Sequence, residues 1–283
     1  MQTINADSNN LRLAVLIDAD NTFKMIDIID EFFEEISKFG DATVRRIYGD
    51  WTQNQLNRWK EILPQYAIQP IQQYANTKGK NATDSALIID AMDLLYSAPL
   101  DGFCIVSSDS DFTRLAIRFR EAGKLVYGFG EQKTPESLMA ACNKFIYIEI
   151  LSQNKEVESA ASTEPETRSA TSIPADTGSL SEPKSLKAAE AETQKLIRPG
   201  TRKTAKELAQ DTKLVSLIRS AIDALSDEDG YAHIGEVKKH IVKNYSAFDS
   251  RNYGYAKFGE LVKAVALFEI DAQKQRVKDK RKK

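Results

Sequence analysis

The 283-residue sequence contains two cysteines, two histidines and two tryptophans, and each scarcity excludes something. Two cysteines cannot staple a chain of this length, so a disulfide scaffold is excluded. Cys104 sits in an apolar strand pattern and Cys142 in a helical one. Both read as small core residues of a reducing compartment. The histidines, His233 and His240, both lie late in the chain, so a His-rich zinc site is excluded from the first half. They read as surface helix or turn residues. No apolar run approaches the ~20 residues needed to span a bilayer, and the polar start Met1–Asn10 has no apolar signal core. The expectation is a soluble cytoplasmic protein. Residues 152–212 lack Phe, Trp and Tyr altogether yet hold four of the eight prolines. Such a segment buries too little apolar surface to offset chain entropy. It reads as a flexible linker with fluctuating helix near Leu186–Ile197.

The net charge is only −2, but its distribution is uneven. Residues 1–151 carry 15 Lys/Arg against 21 Asp/Glu, and residues 213–283 carry 15 against 10. An acidic first part joined to a basic last part is compatible with a nucleic-acid partner.

Residues 11–151 alternate strand-like and helix-like patterns. Strands are expected at Leu13–Asp18, Thr43–Tyr48, Ala67–Ile71, Phe103–Val106, Leu125–Gly128 and Ile146–Ile150. Pro70 assigns the third to an edge. Helices are expected over Phe23–Phe39, Gln53–Leu63, Ser85–Tyr96 and Phe112–Ala122, the last stopped at Gly123. A further helix starts at Thr134-Pro135-Glu136, which supplies a cap, a first-turn proline and an early acid. This alternation implies an α/β domain with a Rossmann-like parallel sheet flanked by helices.

Two of the apolar runs end in acids: Leu13-Ala-Val-Leu-Ile-Asp18-Ala-Asp20-Asn21, and Phe103-Cys-Ile-Val-Ser107-Ser108-Asp109-Ser-Asp111. In open α/β sheets ligands bind beyond the carboxyl ends of such strands. Neighbouring strands would set Asp18 beside Asp109, and a helix whose first turn faces the same edge would add Asp84. Carboxylates crowded to ~5 Å repel by about 3 kcal/mol per pair at an effective dielectric near 20. A divalent cation relieves that, and oxygen-only ligands point to Mg²⁺ or Mn²⁺. Such a centre suits phosphodiester hydrolysis. Lys78 and Lys80, on the loop before Asp84, suit flanking phosphates as point charges. Each residue also has a structural reading. A strand-end Asp starts turns or caps helices, Asp84 complements a helix dipole, and Asp90 and Asp93 are mid-helix structural or solvated acids.

Asp18-x-Asp20-Asn21, Lys80-Asn81-x-x-Asp84 and Ser107-Ser108-Asp109-Ser110-Asp111-Phe112 together resemble the NYN domain of the PIN-like nuclease superfamily, in the order and spacing of its LabA-like branch. The resemblance implies a PIN-like fold and a Mg²⁺- or Mn²⁺-dependent ribonuclease. It makes Asp18, Asp84, Asp109 and Asp111 metal-site acids and Asn21 a supporting polar residue. Two alternatives stand beside it. One is a non-catalytic RNA-binding or scaffold protein that retains the nuclease fold. The other is a haloacid-dehalogenase-type phosphatase, with Asp18 as nucleophile, Asp20 as general acid, and Ser107 and Lys124 as later motifs. That family needs a further acidic motif after the lysine, and no Asp occurs between Phe112 and Leu151.

Apolar patterning returns at Leu214, with helices expected over Leu214–Leu225, Ile234–Ile241 and Ala256–Val265 and a strand over Leu267–Asp271. The stretch Arg251-Asn-Tyr253-Gly-Tyr255-Ala-Lys257-Phe258 interleaves basic and aromatic residues, a pattern suited to phosphates and bases. Tyr255, Phe258, Leu261 and Val262 have core spacing, while Arg251, Tyr253 and Lys257 are the contact candidates. Residues 213–272 resemble the LOTUS, or OST-HTH, winged-helix domain, which implies RNA as partner. A homo-oligomer or a protein partner through this domain is a further expectation. Gln273–Lys283 holds seven basic residues and one acid and reads as a solvated basic tail that adds salt-sensitive affinity.

Overall fold

Six successive residues of β1 (Arg12–Asp18) are buried, the mark of a strand covered on both faces. The computed structural model describes residues 11–74, 82–152, 202–271, 273 and 275–281. β1 lies between β2 (Asp41–Gly49) and β4 (Gly102–Val106), parallel to both. With β3 (Gln69–Gln72), β5 (Leu125–Gly130) and β6 (Lys144–Tyr147) the sheet runs β3-β2-β1-β4-β5-β6, every pairing parallel. The chain therefore winds one way from β1 and the other way from β4. At that reversal the connections diverge and leave a crevice beyond the strand ends, where Asp18 and Asp109 lie. Pro70 stands in the edge strand β3, where a missing donor is tolerated.

The helices are α1 (Ile29–Ser37), α2 (Asn57–Ile62), α3 (Ala82–Ser97), α4 (Thr113–Glu121), α5 (Glu136–Ala141) and α6 (residues 148–152). Val15 and Ile17 face one core, with Phe32, Trp59 and Phe129. Ala14 and Leu16 face the other, with Leu94, Phe103 and Phe119. Both cysteines are buried and free. Gly123, at φ +75°, takes the left-handed position that ends α4.

Three local expectations change. The helix expected over Phe23–Phe39 divides into a 3₁₀ segment, Phe23–Ile28, and α1, because Met25 N bonds back to Thr22 O in the tight i→i+3 manner as the chain leaves the strand-end turn. The strand expected over Ile146–Ile150 ends at Tyr147 and α6 follows; a short buried apolar run suits either state. Thr134 does not cap α5: its hydroxyl donates to Glu131 O (2.6 Å), and Pro135 holds the cap position.

A third core belongs to α7 (Ala205–Gln210), α8 (Thr212–Leu225), α9 (Ile234–Asn244) and α10 (Phe258–Val265). They pack with a three-stranded antiparallel sheet of β7 (Ala232–His233), β9 (Arg276–Asp279) and β8 (Phe268–Asp271), in that order. Two boundaries are corrected. The segment read as linker to residue 212 is folded from Thr204, whose capping box with Glu207 opens α7 and whose Leu208 is fully buried. The basic tail is not a tail: residues 276–279 form the middle strand, with Val277 fully buried and Asp279 held by Arg219 (3.0 Å) and Arg281 (2.8 Å). One apolar residue among charges gave too weak an alternation to read as a strand. The expected fluctuating helix near Leu186–Ile197 lies outside the described residues.

The two bodies touch along the β6 edge. Phe145 N donates to Ser246 O (3.0 Å), and Ser246 Oγ donates to Met139 O (2.5 Å). Ala247 is buried in the core that contains Leu16 and Phe103. Arg251 forms a fork onto Glu35 of α1, Nη1 to Oε2 at 3.0 Å and Nη2 to Oε1 at 2.8 Å, and also pairs with Asp249 at 2.8 Å. Burial would raise the Glu35 pKa, but the Arg251 bonds and charge, aided by Lys38, hold it down at about 2.

Ending the chain before Arg276 should unfold the C-terminal body, lowering its helical circular dichroism; an unchanged spectrum and melting temperature would show β9 to be dispensable. Glu35→Gln should weaken the contact between the bodies by about 2–5 kcal/mol, the range for truncating a buried charge pair, and split one calorimetric transition into two. The Glu35 carboxyl is depressed from 4.5 to about 2, so its contribution is complete above pH 4.5 and is lost as pH falls toward 2. Acid titration of wild type and variant should converge across that interval.

Candidate metal centre

β1 and β4 end in the same local device. Asp18 Oδ1 accepts from Asp20 N (3.1 Å) and Asp109 Oδ1 from Asp111 N (2.9 Å), each Asp opening a 3₁₀ turn. The capping reading therefore holds for both, and Asp111 is not itself the cap. Each carboxylate gives one oxygen to the backbone and keeps the other for further partners.

Ser107 couples the two turns. Its hydroxyl donates to Asp18 Oδ2 (2.8 Å) and accepts from Asp109 N (3.0 Å). Asn21 Nδ2 also donates to Asp18 Oδ2 (2.6 Å). Ser108 Oγ accepts from Glu131 N (2.8 Å), tying the end of β5 to the same edge. Gly130 permits this approach, since a Cβ there would lie 2.7 Å from Ser107 O.

Asp84, in the first turn of α3, completes the cluster. Asp84, Asp109 and Asp111 each offer a carboxylate oxygen within 4.8 Å of the others. Burial, then the charges of Asp18, Asp109, Asp111 and Asp20, raise the Asp84 pKa to about 6. Asp18 thus stands close enough to act on Asp84, but its own oxygens are engaged by Asn21, Ser107 and Asp20 N, and it is buried behind the triplet. Burial raises its pKa, and the Asn21 and Ser107 bonds offset only part of that. The donor set is all carboxylate and exceeds what the protein neutralises, which fits a hard divalent cation such as Mg²⁺ or Mn²⁺.

Other predicted residues fall elsewhere. Lys78 and Lys80 lie outside the described residues. Asp90 is structural, bonded to Arg46 (2.5 Å) and to the Tyr48 hydroxyl. Arg251 is consumed by Glu35 and Asp249. Tyr253 is packed against Phe248 and the Lys203 ammonium, with its hydroxyl pKa raised by burial. Lys257 remains exposed just before α10. His233 caps α9, its Nδ1 accepting from Gly235 N. Lys124, which a dehalogenase-type site would need beside Asp18, precedes β5 at the opposite edge and donates to Leu100 O (2.7 Å). That alternative loses its lysine.

Two features escaped the sequence reading. Asp50 ends β2 as Asp18 ends β1, and its charge reaches Asp20. Thr52, Gln72 and Gln53 donate to it and hold its pKa well below the carboxylate range. The strand-end position was the available signal, masked by the polar composition of β2. Lys24 (2.9 Å) and Lys133 (3.5 Å) share the carboxylate of Glu131 next to Ser108. No local motif marks them.

Comparison with known proteins places an NYN domain over residues 12–149 and an OST-HTH/LOTUS domain over residues 209–278. The chain is similar to a crystal structure of a protein of unknown function from Vibrio parahaemolyticus, 18% identical, covering 52% of this chain and 96% of that one, with a TM-score of 0.42. No curated protein matches the chain.

Crowding makes Asp84 a source of instability in the metal-free protein. Its folded pKa, about 6, lies above the ordinary 3.8. The penalty is therefore absent below pH 3.8, grows through the interval, and is complete above 6. Asp84→Asn should stabilise the metal-free protein near pH 7.5 by about 1 kcal/mol after solvent screening, roughly 2–4 °C in melting temperature. Added Mn²⁺ should then raise the wild-type melting temperature and leave the variant's unchanged. A variant less stable than wild type at that pH would contradict the crowding.

Proposed function

Because the chain joins an NYN domain, a nuclease-type domain, to a C-terminal OST-HTH/LOTUS domain, a type that binds RNA, we propose that it is a Mg²⁺- or Mn²⁺-dependent ribonuclease. The reaction is hydrolysis of RNA phosphodiester bonds at the carboxyl edge of the sheet. The observation that carries this reading is the convergence of Asp84, Asp109 and Asp111 at the sheet's reversal point.

Asp84, Asp109 and Asp111 would hold the cation. When bound, it supplies Lewis acidity toward the phosphate and lowers the pKa of water. Asp18 adds negative potential behind the triplet and is fixed in place by Asn21 and Ser107. Ser107 and Ser108 keep the ends of β1, β4 and β5 in register, so the acids are positioned before substrate arrives. Lys24 and Lys133, about two-thirds exposed at 67% and 68%, flank this edge as phosphate contacts, with Lys78 and Lys80 as further candidates. Lys257 is the OST-HTH residue from the sequence reading best placed to meet RNA.

Labelled single-stranded and structured RNA should be cut by the intact chain with Mn²⁺ or Mg²⁺ and spared with EDTA. Asp109→Asn and Asp18→Asn, each verified as folded, should lose about a hundredfold or more in rate. RNA binding without cleavage by the intact protein, under any of these metals, would replace this reading with the non-catalytic scaffold.

A further inference from the structure

The contact between the two bodies leaves a cleft of about 570 Å³ along α5, lined from one side by Arg120, Glu136 and Asn143 and from the other by Lys243, Asn244 and Tyr245. Its charge is one-sided. Among the described residues Glu136 is the only acid on its wall, and it is paired with Lys213 at 3.5 Å. Among the described residues Arg120 has no acidic partner and donates to the carbonyls of Ala140 and Ala141, at 3.3 and 3.4 Å. Among the described residues Lys243 has no acidic partner. Each body thus contributes one cation without a counter-charge to the same cleft. Two amides lie between them; Asn143 uses only its oxygen, accepting from Val126 N (2.8 Å).

The cleft also has a direction. α5 starts at Glu136, just after the end of β5, and finishes near Asn143, just before β6. Its first end is therefore at the carboxyl edge of the sheet, where Glu131 N binds Ser108 beside Asp109. Its far end is at Arg120, two turns along the helix that follows Asp111. A strand laid in the cleft leads along α5 to the acid edge.

We propose that this cleft is a groove for single-stranded RNA, with Arg120 and Lys243 holding consecutive stretches of its phosphate backbone. Cations from both bodies match a polyanion, amides suit exposed base edges, and α5 on the cleft wall begins on the carboxyl side of the sheet. The inference rests on the ribonuclease reading for the direction of the strand but not for its binding.

The test is fluorescence anisotropy of a short labelled oligouridine against the full chain in EDTA, repeated over a range of salt. Arg120→Ala/Lys243→Ala should weaken binding on the order of tenfold and flatten the log K against log salt slope by about 1.4, two single-strand phosphate contacts. Arg58→Ala/Lys60→Ala removes the same charge from α2, at the other end of the sheet, and should flatten the slope less. Arg120→Lys/Lys243→Arg should restore most of the affinity. Photocrosslinking of wild type to 4-thiouridine RNA should label peptides that contain Asn143 and Asn244, and this reading stands even where the double variant is poorly folded. An equal effect from the α2 pair, an unchanged slope, or crosslinks confined elsewhere would overturn the groove. Selective loss of binding in a chain that never cleaves RNA would keep the groove and remove the nuclease.

Discussion

Repulsion among carboxylates at one edge of the sheet is the constraint around which the first body is arranged. Two parallel neighbours, β1 and β4, whose following connections run in opposite directions set Asp18 and Asp109 side by side, and α3 adds Asp84. Charges at this spacing repel by about 3 kcal/mol per pair at an effective dielectric near 20, a figure that solvent screening at this partly exposed edge reduces. The structure offsets that with rigid donors: the Ser107 hydroxyl, the Asn21 amide and the turn N–H groups of Asp20 and Asp111. These bonds fix Asp18 and Asp109 without neutralising the cluster, and the buried apolar length of β1 and β4 supplies the stability that such an edge needs.

A second ionic arrangement has the opposite character. Glu35 and Arg251 are matched oxygen for nitrogen in a buried fork, with Asp249 accepting from Nε and from Nη2. Such a pair contributes little net stability over an apolar contact but penalises any displaced geometry strongly. Its position beside the β6 edge, where Ser246 supplies a backbone partner for Phe145, both covers an open sheet edge and fixes how the winged helix meets the sheet. The cleft along α5 exists because of that fixed meeting.

Much of this was legible in the sequence. The parallel sheet followed from apolar runs with no alternation, and Asp18, Asp84 and Asp109 were readable because each interrupts or follows such a run at a strand or helix end. What was not legible shares a cause. β9 has a single buried apolar residue, Val277, among charged ones, and its buried Asp279 is paired with Arg219 of α8, so local pattern could not reveal it. Arg251 and Tyr253 have the composition of an RNA surface, and only the partner 216 positions away on α1 shows that Arg251 is internal. Asp50 closes a strand whose outward residues are polar, which hid the strand-end signal carried by the other two. Local periodicity reports burial by a segment's own side chains; it is silent where a single long-range ion pair decides the placement.

The acids themselves divide along functional lines. Glu35, Asp50 and Asp279 have donors inside the protein, and each is held below the ordinary carboxylate range. Asp18, Asp20 and Asp84 are shifted upward by burial, and for Asp84 by its neighbours' charges. Among the described residues the upward-shifted acids lie at the crevice, while Glu35 sits at the contact between the bodies and Asp279 in the C-terminal sheet. A fold selected only for stability would exchange a donor for one of the crevice carboxylates, as it supplies donors to Asp50 directly after β2. That it leaves this charge uncompensated where the connections after β1 and β4 diverge makes this edge suited to a cation from outside the chain.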